Sequence, residues 1–95
     1  IVPILSFNNF DEVMNRANDN DLGLCSYVYT TDLKKANKAS EILETGCVAV
    51  NTPVGAVAEA PFGGIKQTGY GREGGSMAIK DYLNIKYTHF GISYE

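Results

Sequence analysis

Residues 61–75 read PFGGIKQTGYGREGG, with six glycines in fifteen positions and one Lys, one Arg and one Glu among them. Each glycine loses more backbone freedom on folding than any other residue, so this density marks tight turns or a backbone that something must approach closely. Within the run, Gly69-Tyr70-Gly71-Arg72-Glu73-Gly74 matches G-x-G-x-x-G, the pattern that cradles a pyrophosphate. That chemistry also needs a buried strand before the motif, a helix opening from it, and an acidic residue about 20 positions further on. Residues 65–68 (IKQT) make a poor buried strand, and about 20 residues past Gly74 the sequence stops. The phosphate-binding P-loop fails too, because no glycine run ends in Lys-Ser or Lys-Thr.

The remaining candidate nucleophiles are Cys25 and Cys47, each inside an apolar, β-rich run. A free cysteine there behaves as a small buried hydrophobe rather than as a catalytic or disulfide residue. Two unpaired thiols suit a reducing, cytoplasmic compartment. Lys66 and Arg72 read as structural ion-pair partners, and no metal-ligating set is present. With 44% hydrophobic residues, 20% charged and a net charge of −3, the chain lacks the basic excess of a nucleic-acid binder. No apolar run approaches the roughly 18 residues of a membrane span. Ninety-five residues fit one domain or a piece of a larger one, and an opening inside an apolar run suggests the latter.

The elements that must position these residues follow from periodicity. Residues 1–7 predict a short buried strand. Asn9 starts a helix, with Glu12 completing a capping box and Phe10, Val13, Met14 and Ala17 on one face. Residues 24–30 (LCSYVYT) are β-branched and aromatic, hence strand. Thr30 or Thr31 caps a second helix with Leu33, Ala36, Ser40 and Leu43 on its inner face, and Gly46 stands where a C′ glycine belongs. Residues 47–51 (CVAVN) predict a third strand, buried on both faces, and Asn51 is expected to hydrogen-bond nearby loop backbone. The resulting βαβαβ order is that of an α/β fold with parallel strands. A small-residue loop, the glycine run and a short helix capped by Ser76 follow. Leu83, Ile85 and Tyr87 then alternate with polar residues as a half-buried strand outside the βαβαβ unit, and His89 falls on it as a surface or subunit-contact residue.

At this level PFGGIKQTGYGRE resembles the PFGG-x-K-x-S-G-x-GRE signature near the C-terminus of NAD(P)-dependent aldehyde dehydrogenases. The likeness covers essentially the whole chain, through LCSYVYT, CVAVN and the closing DYLNIKY, and is nearest to the succinate-semialdehyde dehydrogenase branch. Thr68 stands where the family usually has Ser. The resemblance implies roughly the last fifth of a longer subunit: residues 1–82 a portion of the catalytic domain, residues 83–95 an oligomerisation strand and tail. Nucleophilic cysteine, general-base glutamate and dinucleotide-binding domain would then all lie elsewhere in the polypeptide, leaving the fragment inactive alone.

The family's reaction is attack of a cysteine thiolate on an aldehyde, hydride loss to NAD or NADP, and hydrolysis to the carboxylic acid. By the same resemblance Phe62 lines the aldehyde tunnel, Glu73 supports proton relay, and Leu24 touches the nicotinamide end of the cofactor. Each also has a plain structural reading: Phe62 and Leu24 as core residues, Glu73 as a partner of loop amides or of Arg72. Ala56 occupies the position where several members of the branch use a Ser to hold a substrate carboxylate. The expected substrate is therefore succinate semialdehyde or another small aliphatic aldehyde, and the expected assembly a homodimer or homotetramer. An independent, non-catalytic α/β binding or assembly module is the alternative.

Overall fold

The computed structural model describes residues 1–93, so the last two residues of the expected tail 83–95 lie outside the described residues. The first helix, α1 (Phe10–Asn18), begins as the sequence predicts. Asn9 Oδ1 accepts from the Glu12 amide at 2.9 Å. Glu12 reaches one residue past the cap, and its Oε2 accepts from the Asn8 amide at 3.0 Å. That backbone hydrogen bond, helped by Arg16 one turn on, holds the Glu12 carboxyl below its ordinary range. A lowered value means the contribution is present above the ordinary glutamate range and disappears as pH falls through the lowered one. Acidification should therefore fray the first turn of α1 before the rest of the helix, read as faster amide exchange at Glu12 and Val13, and Glu12→Gln should abolish that pH dependence.

The second helix, α2 (Leu33–Ile42), differs from expectation at both ends and in its face. Asp32, not Thr30 or Thr31, is the cap: its Oδ1 accepts from the Lys34 and Lys35 amides at 2.9 and 3.2 Å. A carboxylate can satisfy two orphan amides and also faces the positive end of the helix dipole, so it outcompetes a hydroxyl. Thr30 Oγ1 instead accepts from the Asp32 amide. The helix buries Ala36 and Ala39, while Leu33 and Ser40 are exposed. Small residues at the contact let α1 and α2 approach closely, and Met14, Ala39 and Leu43 form the core with Phe10, Val13, Val28, Ile42 and Val48 around them. Nor is Gly46 a C′ glycine: the chain is already extended at Leu43. The end of α2 is tied from α1, where Asn18 Nδ2 donates to Ile42 O and Asn18 Oδ1 accepts from the Glu44 amide, both at 2.9 Å.

The strands are β1 (Leu22–Gly23), β2 (Cys25–Val28), β3 (Cys47–Val50) and β4 (Ile65–Lys66). β2 and β3 run parallel with Cys25 opposite Cys47 and Val28 opposite Val50, joined by the α2 crossover. β1 and β4 pair antiparallel, Leu22 opposite Lys66. The strand expected over 24–30 is present but shortened to Cys25–Val28, and Asn51 leaves β3 at a positive φ of 54°. Its side chain locks the ends of β2 and β3, donating to Thr30 O and accepting from the Thr30 amide at 2.9 Å each.

The expected βαβαβ unit is present as a single parallel βαβ. Residues 1–7 and 83–93 carry no strand: among the described residues neither segment pairs with β1, β2, β3 or β4, and a strand exists only by pairing. Both segments extend away as exposed arms, giving a radius of gyration of 19.8 Å against about 12 Å for a compact domain of this length. On the second arm the Tyr87 hydroxyl and His89 Nδ1 lie 3.3 Å apart, both exposed. β3 is buried fully only at Ala49, while its neighbour Val48, which packs against the helix core, is partly buried. The expected Ser76 cap is absent too: a 3-10 turn over Ala78–Tyr82 follows Met77, with no side-chain cap.

Candidate active site

The glycine run folds back on itself. The Phe62 amide donates to Glu73 O at 2.7 Å and the Glu73 amide to Phe62 O at 2.8 Å, an isolated antiparallel bridge that closes a loop between them. Inside the loop the chain turns at residues 65–68, with Lys66 at φ 55°, Gly69 at 116° and Gly71 at 95°. Side chains that would occupy the middle of this loop are replaced by backbone. A Cβ at Gly63 would overlap Gly71 O, and one at Gly64 would overlap the Thr68 side chain. Thr68 Oγ1 accepts from the Gly23 amide at 2.8 Å and so pins the loop to β1.

Lys66 is the structural ion-pair partner the sequence suggests, and Arg72 is not. Lys66 does pair with Glu44 at 2.6 Å, and also donates to Asn18 O and Asn20 O at the end of α1. Arg72 makes no ion pair among the described residues. Its Nη1 donates to Gly64 O and Gly71 O, both at 2.8 Å, clamping the two limbs of the loop. The Arg72 amide donates to Asp81 Oδ2 at 2.7 Å, which fixes the residue just before Glu73. Sequence reasoning did not single out Asp81, and nothing in its spacing points to it; it becomes visible only once the 3-10 turn swings back over the loop.

Two open clefts flank the Phe62–Glu73 bridge. One, of about 550 Å³, is lined by Leu24, Phe62, Thr68, Tyr70, Arg72 and Glu73 among others. The other, of about 310 Å³, is lined by Ala56, Val57, Ala58, Phe62, Glu73 and Gly74. All four residues singled out from the sequence thus border the same bridge: Leu24 on one side, Ala56 on the other, Phe62 and Glu73 on both. The Glu73 side chain is exposed and takes part in no hydrogen bond or ion pair among the described residues, so it is neither a partner of loop amides nor of Arg72. An exposed carboxylate beside an aromatic ring can accept or pass a proton to water.

The cysteines stand apart from both clefts. Burial first, then a hydrogen bond with Cys25, raises the Cys47 thiol, which disfavours a thiolate nucleophile at neutral pH. The same Cys25 side chain raises the Tyr27 phenol by hydrogen bonding. G-x-G-x-x-G is likewise not a nucleotide cradle: only the two-residue β4 precedes it and no α-helix opens from it.

This geometry has close counterparts. The chain is 47% identical over 91 residues to 3-sulfolactaldehyde dehydrogenase of Pseudomonas putida, covering 96% of this chain and 19% of that protein. It is 46% identical over 91 residues to succinate semialdehyde dehydrogenase of Acinetobacter baylyi, with the same coverage of 96% and 19%. The NAD+ complex of an aldehyde dehydrogenase from Bacillus cereus superimposes with a TM-score of 0.82 at 40% identity, covering 86% of this chain and 17% of that one. The chain therefore spans about a fifth of the length of the relatives it matches. Residues 1–88 match the pattern of the aldehyde dehydrogenase family, and the chain belongs to that family.

Proposed function

We propose that this chain is the C-terminal portion of an NAD(P)-dependent aldehyde dehydrogenase subunit, with residues 1–82 completing the catalytic domain and residues 83–95 forming an oligomerisation strand and tail. The main-chain pairing of Phe62 with Glu73 carries this reading, because it puts an aromatic wall and a free carboxylate on the same two clefts. In it, Phe62 and Ala56 wall the aldehyde and exclude bulk water, and Glu73 passes a proton through water to a general base elsewhere in the polypeptide. Leu24, partly exposed on the larger cleft, offers an apolar surface that fits the flat face of a nicotinamide ring. NAD or NADP, when bound, supplies the hydride acceptor. The exposed apolar side chains Leu83, Ile85, Tyr87 and Phe90 support assembly into a homodimer or homotetramer. The two free thiols support a reducing, cytoplasmic compartment.

Substrate choice turns on charge. Ala56, Val57 and Ala58 bring no side-chain donor to the smaller cleft, and its one charge, Glu73, repels a carboxylate. Succinate semialdehyde would have to find its cation outside this smaller cleft, and this observation favours a small uncharged aliphatic aldehyde there. The test is NAD- and NADP-dependent oxidation of succinate semialdehyde and butanal by the full-length polypeptide, beside residues 1–95 alone. Turnover by the full-length protein and none by the short chain is expected. Silence of the full-length protein with both aldehydes and both cofactors would leave a non-catalytic binding or assembly module. Turnover by the 95 residues alone would overturn the fragment reading.

A further inference from the structure

We infer that Cys47 is a positioning residue for the aldehyde, because its thiol tethers the loop that carries Ala56; the inference rests on the dehydrogenase reading above. Side chains alternate across the β2–β3 pair, and Val28 and Val48 face the helices. Cys25, Tyr27 and Cys47 point the other way, where no helix covers them. Residues 52–60 cross that uncovered face.

Cys47 Sγ donates to Gly55 O at 2.9 Å. A Cβ at position 55 would lie 2.7 Å from Cys25 Sγ and 3.1 Å from the Tyr27 hydroxyl, so the loop backbone lies directly against these two side chains. Gly55 thus rests on a platform of two sulfurs and a phenol, held down by one thiol hydrogen bond. Three residues on, Ala58 O accepts from the Gly75 amide at 2.8 Å, which fixes the loop to the glycine run. Ala56 and Val57 span the gap between these two anchors and form a wall of the smaller cleft. Removing the Cys47 anchor frees one end of that span. Burial keeps the Cys47 thiol protonated near neutral pH, and only the protonated thiol can donate. Cys47 lines neither cleft, so its effect reaches substrate through the span that carries Ala56 and Val57.

The experiment compares Cys47→Ala and Cys47→Ser with wild type in the full-length polypeptide. Cys47→Ala should raise the aldehyde KM about two- to fivefold, as expected for one modest hydrogen bond, with kcat and the cofactor KM unchanged. Amide exchange at residues 55–57 should quicken in parallel. Cys47→Ser, which keeps a donor, should restore most of both. Unchanged exchange in Cys47→Ala means there is no tether. Faster exchange with an unchanged aldehyde KM, or serine behaving like alanine, means the tether does not position substrate. A wild type that oxidises no aldehyde defeats the dehydrogenase reading and the claim on KM together, while the exchange measurement still decides the tether.

Discussion

Gly46→Ala should destabilise the full-length protein by about 3 kcal/mol or more, at the upper end of what overpacking costs. The added Cβ would fall within bonding distance of Gly63 O and about a contact radius from the Gly64 Cα. What it meets is backbone, so no rotamer change relieves it. The backbone on each side is itself held. The Gly46 amide donates to Gly23 O at 3.1 Å, while Gly63 sits between the Phe62–Glu73 bridge and the Arg72 clamp. Either β3 separates from the glycine loop or the loop opens, and both displace Phe62. A lower denaturant midpoint at unchanged m is the expected readout. Gly91→Ala is the control: a Cβ there meets nothing within 4 Å, and its midpoint should stay within about 0.5 kcal/mol of wild type. Equal midpoints for the two variants would refute the close-approach account of Gly46.

That glycine illustrates what the sequence conceals. A glycine four residues after a helical pattern invites a C-cap reading, yet its partner is a carbonyl 17 positions further along, as the difference between 46 and 63 gives. Local signals were otherwise readable. Both helices appear where the 3.6-residue period puts them, and Asn9 caps α1 with Glu12 in support. The cap of α2 is expected at Thr30 or Thr31, one or two residues early, within Thr30-Thr31-Asp32, three capping residues in a row of which the carboxylate prevails. Strands were the weaker inference, because periodicity reports that a segment could pair and not that a partner exists. Residues 83–88 alternate well and still pair with nothing among the described residues.

The site was legible as a place but not as an arrangement. Glycine density marked residues 61–75, and the resemblance supplied Phe62, Glu73, Ala56 and Leu24. That these four border one bridge depends on turns at Lys66, Gly69 and Gly71 that bring positions 62 and 73 side by side. Thr68, Arg72 and Asp81 hold those turns through hydrogen bonds to backbone, and a contact to backbone leaves no mark in side-chain type.

If Glu73 relays protons as proposed, Glu73→Gln in the full-length polypeptide should lower kcat about 10- to 100-fold, the low side of general acid–base effects for a carboxylate that would act through water. Aldehyde and cofactor KM should stay within about twofold. Glutamine has nearly the same shape, and the bonds that fix position 73 run through its main chain to Phe62, so the loop should close as before. What glutamine cannot do is take up and release a proton. The Glu73 side chain is exposed and unengaged among the described residues, so losing its charge breaks no contact among them and the loop's stability should be unchanged. Glu73→Asp keeps the carboxylate but withdraws it by one methylene, and should recover part of kcat. Phe62→Ala should do the opposite, raising the aldehyde KM more than it lowers kcat, because it removes wall rather than proton capacity. If Glu73→Gln turns over like wild type, position 73 serves only as the main-chain partner of Phe62, and proton relay must run entirely through other parts of the subunit.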